Sequence, residues 1–237
     1  METLTSLPVS TVIILGTHLG TLPVAHWFSR YNSSEKSLWL SKHRVAALLG
    51  LATILICYQW SALQLILQWL ISYTLLHTVP KHQLGKISFV ILYGHVIVVN
   101  AFKFIYKYGD ISLDYTGSMM LGTMRLTSLA FSIQDSTKPE EKLTELQKQR
   151  VMKQDITLEK HFCYCFSFIG ILFGPFIFYE DHEKYMNKKS SEFNANNYKA
   201  TLTLLQGVLA LIIVIVALPH YPVEKNFAYK VGSPVSR

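Results

Sequence analysis

The apolar residues of this chain are gathered into runs long enough to cross a bilayer, and a run of that length fixes the solvent as lipid. Half of the residues are hydrophobic and 16% are charged, whereas a soluble domain carries about a quarter charged residues. The expectation is an all-α, polytopic transmembrane helical bundle. About seven spans are expected within one transmembrane domain over 1–237, at about 7–28, 45–58, 60–79, 87–106, 114–134, 161–179 and 201–218. Val45 to Val79 is apolar almost throughout. As one helix it would be about 52 Å long, against a hydrocarbon core of about 30 Å. A turn near Tyr58-Gln59-Trp60 is therefore expected, where aromatic residues suit the interface.

Charge supports the same arrangement. The formal net charge is +7. Its lysines and arginines sit in short loops rather than on a soluble face, so they report topology and argue against nucleic-acid binding. The loops 30–44, 80–86 and 135–160, with the tail after 218, hold about fifteen Lys and Arg residues, and the opposite loops about six. The positive-inside rule puts the first set in the cytosol. No lysine or arginine precedes the first apolar stretch. A cleaved signal peptide has a positive n-region, so Leu7 to Phe28 reads as a retained span. Cys57, Cys163 and Cys165 lack the paired spacing of a zinc site and read as buried free thiols. No metal or resident cofactor is expected.

One apolar run carries a charge at its centre. DYTGSMMLGTMRLTSLAFSIQ, Asp114 to Gln134, holds Arg125 near its middle. A charge at that depth costs about 2.5–3.5 kcal/mol on insertion scales. Gly117, Ser118, Gly122, Thr123 and Ser128 are small and let neighbouring helices approach closely. The segment is thus expected inside protein. Asp114 and Asp135 lie about 15–16 Å from Arg125 along a helix axis, too far to pair with it. Its partner must be another helix, water or an anion. Two readings stand here: a polar cavity accepting a phosphate-bearing substrate, since the planar guanidinium suits phosphate, or a buried structural pair or snorkelling side chain.

Other residues have bland and sharp readings side by side. Asp114-Tyr115-Thr116-Gly117 reads as a helix start, with Asp114 or Thr116 as cap. Gly174-Pro175 interrupts a span and frees the carbonyl of Ile171, which lines a cavity or marks a plain kink. Thr137 and Glu140 have capping-box spacing, predicting a surface helix over 140–153. Glu180 to Lys199 reads as a polar loop. His95 and His220 have no partner evident in sequence for catalysis.

Two motifs together resemble a known family. DYTGSMMLGTMRLTSLAFSIQD, followed by a charged linker and LEKHFCYCFSFIGILFGPFIFYEDHEKY, is similar to the membrane-bound O-acyltransferase family, in its lysophospholipid acyltransferase branch. Asp114, Gly117, Met120, Arg125, Leu129, Ala130, Phe131, Gly174, Pro175 and Asp181 stand at the branch's motif positions. The stretches RVAALLGLATILICYQW and FIYKYGD fit as well. Arg125 stands where many relatives have lysine, which keeps the charge and changes its geometry. The resemblance implies general-base acyl transfer from acyl-CoA, as co-substrate, to a lysophospholipid, in a multi-pass protein of the endoplasmic reticulum. It implies substrate-binding roles for Arg125, Asp114, Gly174 and Pro175. The family's catalytic asparagine and histidine stand in Trp-Asn and Trp-His-Gly contexts, and neither occurs here. No catalytic residue is therefore assigned. The chain is expected to be the N-terminal portion of such an enzyme, inactive alone. Two other functions are expected to compete: a non-catalytic membrane isoform that binds lipid or a full-length relative, and a transporter fragment, which wants a second broken helix.

Overall fold

The computed structural model describes residues 9–31, 41–106, 115–152, 156–172, 174, 176–187 and 197–217. Among them the regular structure is all helical. The chain divides into two compact units, Met1–Ser190 and Ser191–Arg237. The second contributes one described helix, α9 (Asn197–Ala217).

The first unit begins with α1 (Val9–Arg30) and α2 (Lys42–Tyr58). Ser41 caps α2, its hydroxyl accepting from the Arg44 amide at 3.4 Å, which satisfies a donor the helix cannot. The turn in the long apolar run falls at Gln59–Ser61, where Gln59 takes φ 47°. Helix α3 (Ala62–Thr78) follows, and the two halves differ in their main neighbours: α2 packs on the helix Leu158–Cys165 and α3 chiefly on the helix Thr116–Asp135.

Helices α3, α4 (Leu84–Tyr106) and α5 (Thr116–Asp135) form the centre of the unit. Small residues make this close packing possible, as expected of membrane helices. A Cβ at Gly85 would strike the Phe131 ring and the Gln134 amide. Gln134 uses that proximity to accept from the Gly85 amide at 2.8 Å, capping α4 from outside. Across α3 and α5, the buried Gln68 donates to Thr123 Oγ1 and to the Met119 carbonyl. Tyr58 Oη and Ser118 Oγ share a hydrogen bond of 2.7 Å. The opposite side of α4 is greasy and bare: Val90, Ile97, Val98, Phe102 and Ile105 are all exposed.

Two stretches are long and apolar enough to cross a membrane, Lys42–Thr78 and Leu84–Tyr106. The expectation was about seven, and length and composition pick out only these two among the described residues. α5 falls short because hydroxyls and glycines dilute its apolar residues.

The linker differs from expectation. Thr137 donates back to the Gln134 carbonyl instead of capping a new helix. Pro139 then turns the chain into extended geometry, ψ 143°. The capping box falls later, at Thr144 and Gln147, and opens the six-residue α6 (Glu145–Arg150).

The segment 161–179 is not one helix. α7 (Leu158–Cys165) ends after eight residues, and the described residues between it and α8 (Tyr179–Asn187) form no helix. Tertiary contact forces the break. The backbone of Phe166, Ser167 and Phe168 presses against α2 where Gly50 leaves no side chain, and a Cβ there would collide with it. Gly170 takes φ 72°, which glycine adopts without cost. The polar stretch expected as a loop from Glu180 to Lys199 begins with α8.

Candidate functional site

Buried backbone outside a helix must find other partners for its polar groups. The segment after Cys165 meets that demand through side chains of the neighbouring helices. Arg125 Nη2 donates to the Ile169 carbonyl at 2.6 Å. Ser118 Oγ donates to the Leu172 carbonyl at 2.9 Å. Tyr164 Oη donates to the Ile177 carbonyl at 2.8 Å. In the other direction, the Phe168 amide donates to the Ala46 carbonyl of α2 at 3.1 Å. Three side chains and one helix carbonyl thus replace the ladder that a helix would have made.

Arg125 is the centre of this clamp and is 2% exposed. Its Nε finds no partner, and no carboxylate pairs with it among the described residues. The cavity that touches it is lined by Gln68, Ser118, Gly122 and Cys165 and measures about 10 Å³, the space of a single water. Of the two readings of Arg125, the geometry supports a structural contact, though with a carbonyl rather than an acid. Gly174 is half-buried and lies where a Cβ would strike the Gly170 backbone. The structure thus links Arg125 and Gly174 through the 169–170 backbone. Asp114 and Pro175 lie outside the described residues, as does His220. His95 is half-buried on α4 with its Nδ1 unpartnered, and nearby Asn100 donates to its own helix at Val96.

A larger hollow lies beyond the Ile169–Gly170 backbone. It measures about 490 Å³ and is lined by Thr21 and Ala25 of α1, Phe168, Gly170, and Asp181, His182 and Tyr185 of α8. His182 is 3% exposed, and neither ring nitrogen has a hydrogen-bond partner among the described residues. Leaving a buried polar group unpaired costs about 1–3 kcal/mol, so this ring is poised for a ligand group. Burial first, then the charges of His43 and Arg125, hold its pKa down to about 4, against the pull of Glu183. The ring is therefore neutral at physiological pH and offers one donor and one acceptor.

The neighbouring Glu183 anchors α8. His43 Nε2 of α2 stands 3.3 Å from Glu183 Oε1 and Lys160 Nζ 4.0 Å from Oε2, and Tyr179 Oη donates to Oε1 at 3.1 Å. Hydrogen bonding with His43 is the largest influence, joined by the charges of His43 and Lys160 and the Tyr179 hydroxyl. Together they outweigh burial and hold the carboxyl at about 2.

Sequence reasoning missed His182. The signal was present: Tyr179, His182 and Met186 recur at helical spacing and are the buried face of α8. Reading 180–199 as a loop hid it. All three cysteines are free thiols. No group of three His, Cys, Asp or Glu side chains is placed to hold a metal among the described residues.

Comparison with known proteins bears on both halves of this arrangement. The profile of the membrane-bound O-acyltransferase family matches residues 100–230. The chain is 35% identical over 186 residues to membrane-bound glycerophospholipid O-acyltransferase 2 of Gallus gallus, covering 78% of this chain and 36% of that protein. Against the Homo sapiens protein of the same name it is 33% identical over the same shares. Lysophospholipid acyltransferase 6 of Drosophila melanogaster is 28% identical over 76% of this chain and 25% of its own length. The chain spans about a third of the length of the first two relatives.

Proposed function

Since the chain belongs to the membrane-bound O-acyltransferase family, we propose that it builds part of the membrane scaffold of a lysophospholipid acyltransferase. The whole reaction moves an acyl group from the thioester of acyl-CoA to a lysophospholipid hydroxyl. The new ester forms as the carbon–sulfur bond breaks, and coenzyme A leaves as its thiol. The base that accepts the hydroxyl proton is assigned to no residue of this chain, which carries out no transfer alone. Its place is the endoplasmic reticulum, as a multi-pass protein.

The observation that carries this reading is the span of the family match. It includes α5 with Arg125 and the irregular segment that Arg125 holds. The contribution of Arg125 is then to the wall of a substrate cavity. It fixes the Ile169 carbonyl, and Gly174 packs against the adjoining Gly170 backbone; Asp114 and Pro175 are proposed as substrate contacts from their places in the family's motifs. The relatives' names, glycerophospholipid O-acyltransferase and lysophospholipid acyltransferase, support the substrate class.

A chimera tests it. This chain replaces the matching third of the Gallus gallus relative, and acyl transfer from radiolabelled oleoyl-CoA to a lysophospholipid is measured in microsomes. The chimera is expected to be active and the chain alone inactive. An inserted, folded chimera without turnover overturns the reading. So does turnover by the purified chain alone that a His182→Phe substitution abolishes.

A further inference from the structure

A guanidinium carries N–H donors and no acceptor. In Arg125, Nη2 donates to the Ile169 carbonyl, while the buried Nε meets no acceptor among the described residues. A buried donor left unmet is costly, more so on a charged group, and proteins rarely leave one without a ligand. The space beside it is the cavity of about 10 Å³, walled by Gln68 of α3, Ser118 and Gly122 of α5, and Cys165 at the end of α7. Two of these side chains present lone pairs. Gln68 spends its amide protons on Thr123 Oγ1 and the Met119 carbonyl, and its Oε1 enters no hydrogen bond among the described residues. That oxygen lies 3.1 Å from where a Cβ at Gly122 would stand, which puts it at the cavity wall. Ser118 Oγ has one proton and gives it to the Leu172 carbonyl. It is therefore the acceptor in the bond it shares with Tyr58, and one lone pair remains.

We propose that this cavity is a binding site for one water molecule, which accepts from Arg125 Nε and donates to Gln68 Oε1 and Ser118 Oγ. The wall offers one donor and two acceptors, and a buried water typically makes about three hydrogen bonds. A halide would suit the guanidinium but would sit against two lone-pair oxygens. A cation would suit the oxygens and be repelled by the guanidinium. Water, which both accepts and donates, satisfies all three groups, and the volume is that of one such molecule. The water joins α3 to the clamp on the irregular segment. Arg125 and Ser118 hold the Ile169 and Leu172 carbonyls directly, and Gln68 reaches the same node through the water, a link nearly as good as a direct hydrogen bond. The site goes beyond the acyl-transfer reading and does not need it, because it is observed without any substrate.

The full chain is purified into detergent micelles with isotopically labelled arginine, and the Arg125 Nε–H resonance is assigned by its loss in Arg125→Lys. Rotating-frame Overhauser spectra distinguish dipolar contact with water from proton exchange by sign. A dipolar cross-peak from Arg125 Nε–H to the water frequency is expected. Gly122→Ala sets a methyl beside Gln68 Oε1 and is expected to weaken that cross-peak about tenfold. Gly94→Ala, with open space around it on α4, is expected to leave the cross-peak unchanged. Melting curves in sodium chloride, bromide and gluconate at equal strength are expected to show no gain in the halides. Three results each overturn the proposal. They are a wild type without the dipolar cross-peak, a cross-peak of full strength in Gly122→Ala, and a melting temperature higher in bromide or chloride than in gluconate. The first and third need no variant, so they decide the matter even where Gly122→Ala fails to fold. Acyl transfer by the chimera is a separate readout, so this site and the proposed function fail independently.

Discussion

Arg125, a candidate substrate contact by sequence, holds a backbone carbonyl in the fold. Its burial is costly, and the cost is offset by the hydrogen bond to the Ile169 carbonyl. Removing the guanidinium leaves the Ile169 oxygen bare in an apolar interior. Arg125→Met is therefore expected to destabilise the fold by about 1–3 kcal/mol, read as a lower melting temperature in detergent, with protection of the 166–172 amides from hydrogen exchange lost first. A melting curve that does not move would show that the clamp is dispensable. Glu183 makes a second prediction. Its folded pKa, about 2, lies below the usual carboxylate value, near 4.3 in an unfolded chain. The stabilisation is therefore fully present above about pH 4.3 and is lost as the pH falls towards 2. Wild type is expected to lose melting temperature between pH 5 and about pH 3, and Glu183→Gln to start lower at neutral pH and change little over that window. Parallel curves for the two proteins would refute it.

Among the elements, the informative one is the helix that stops. α7 gives way after Cys165 because α2 offers a bare backbone at Gly50 and an accepting carbonyl at Ala46. Any side chain at Gly50 must push the 166–168 backbone away. Gly50→Ala is expected to cost about 1–3 kcal/mol, the usual range for overpacking, although alanine favours a helix by roughly 0.5–1 kcal/mol over glycine. Gly94→Ala, with open space around it, isolates that propensity gain and is expected to be neutral or stabilising. Thermal melts of the two variants side by side decide it. Equal shifts would mean that the 166–168 backbone yields freely. The break itself was only half legible. Gly174-Pro175 signalled an interruption, but the chain leaves the helix at Phe166, nine residues before Pro175. What ends α7 is contact with α2, more than a hundred residues earlier in sequence, and no local propensity encodes that.

For the whole molecule, lipid as solvent, the all-helical class and the family were legible in one dimension. Each follows from local quantities: the length of apolar runs, their low charge, and the spacing of motif residues around Arg125 and Gly174. The small residues of α5 announced close packing: Gly122 and Thr123 meet Gln68 of α3, and Ser118 meets Tyr58 of α2. Tertiary structure alone decided what the polar residues are for. Ile169 O lies 44 positions from Arg125, and His182 faces a hollow whose far wall is α1. Hydropathy registers that a polar side chain is present but not which partner it meets. That depends on how separate helices dock, and docking is set by shape and by the need to leave no backbone carbonyl unpaired in an apolar interior.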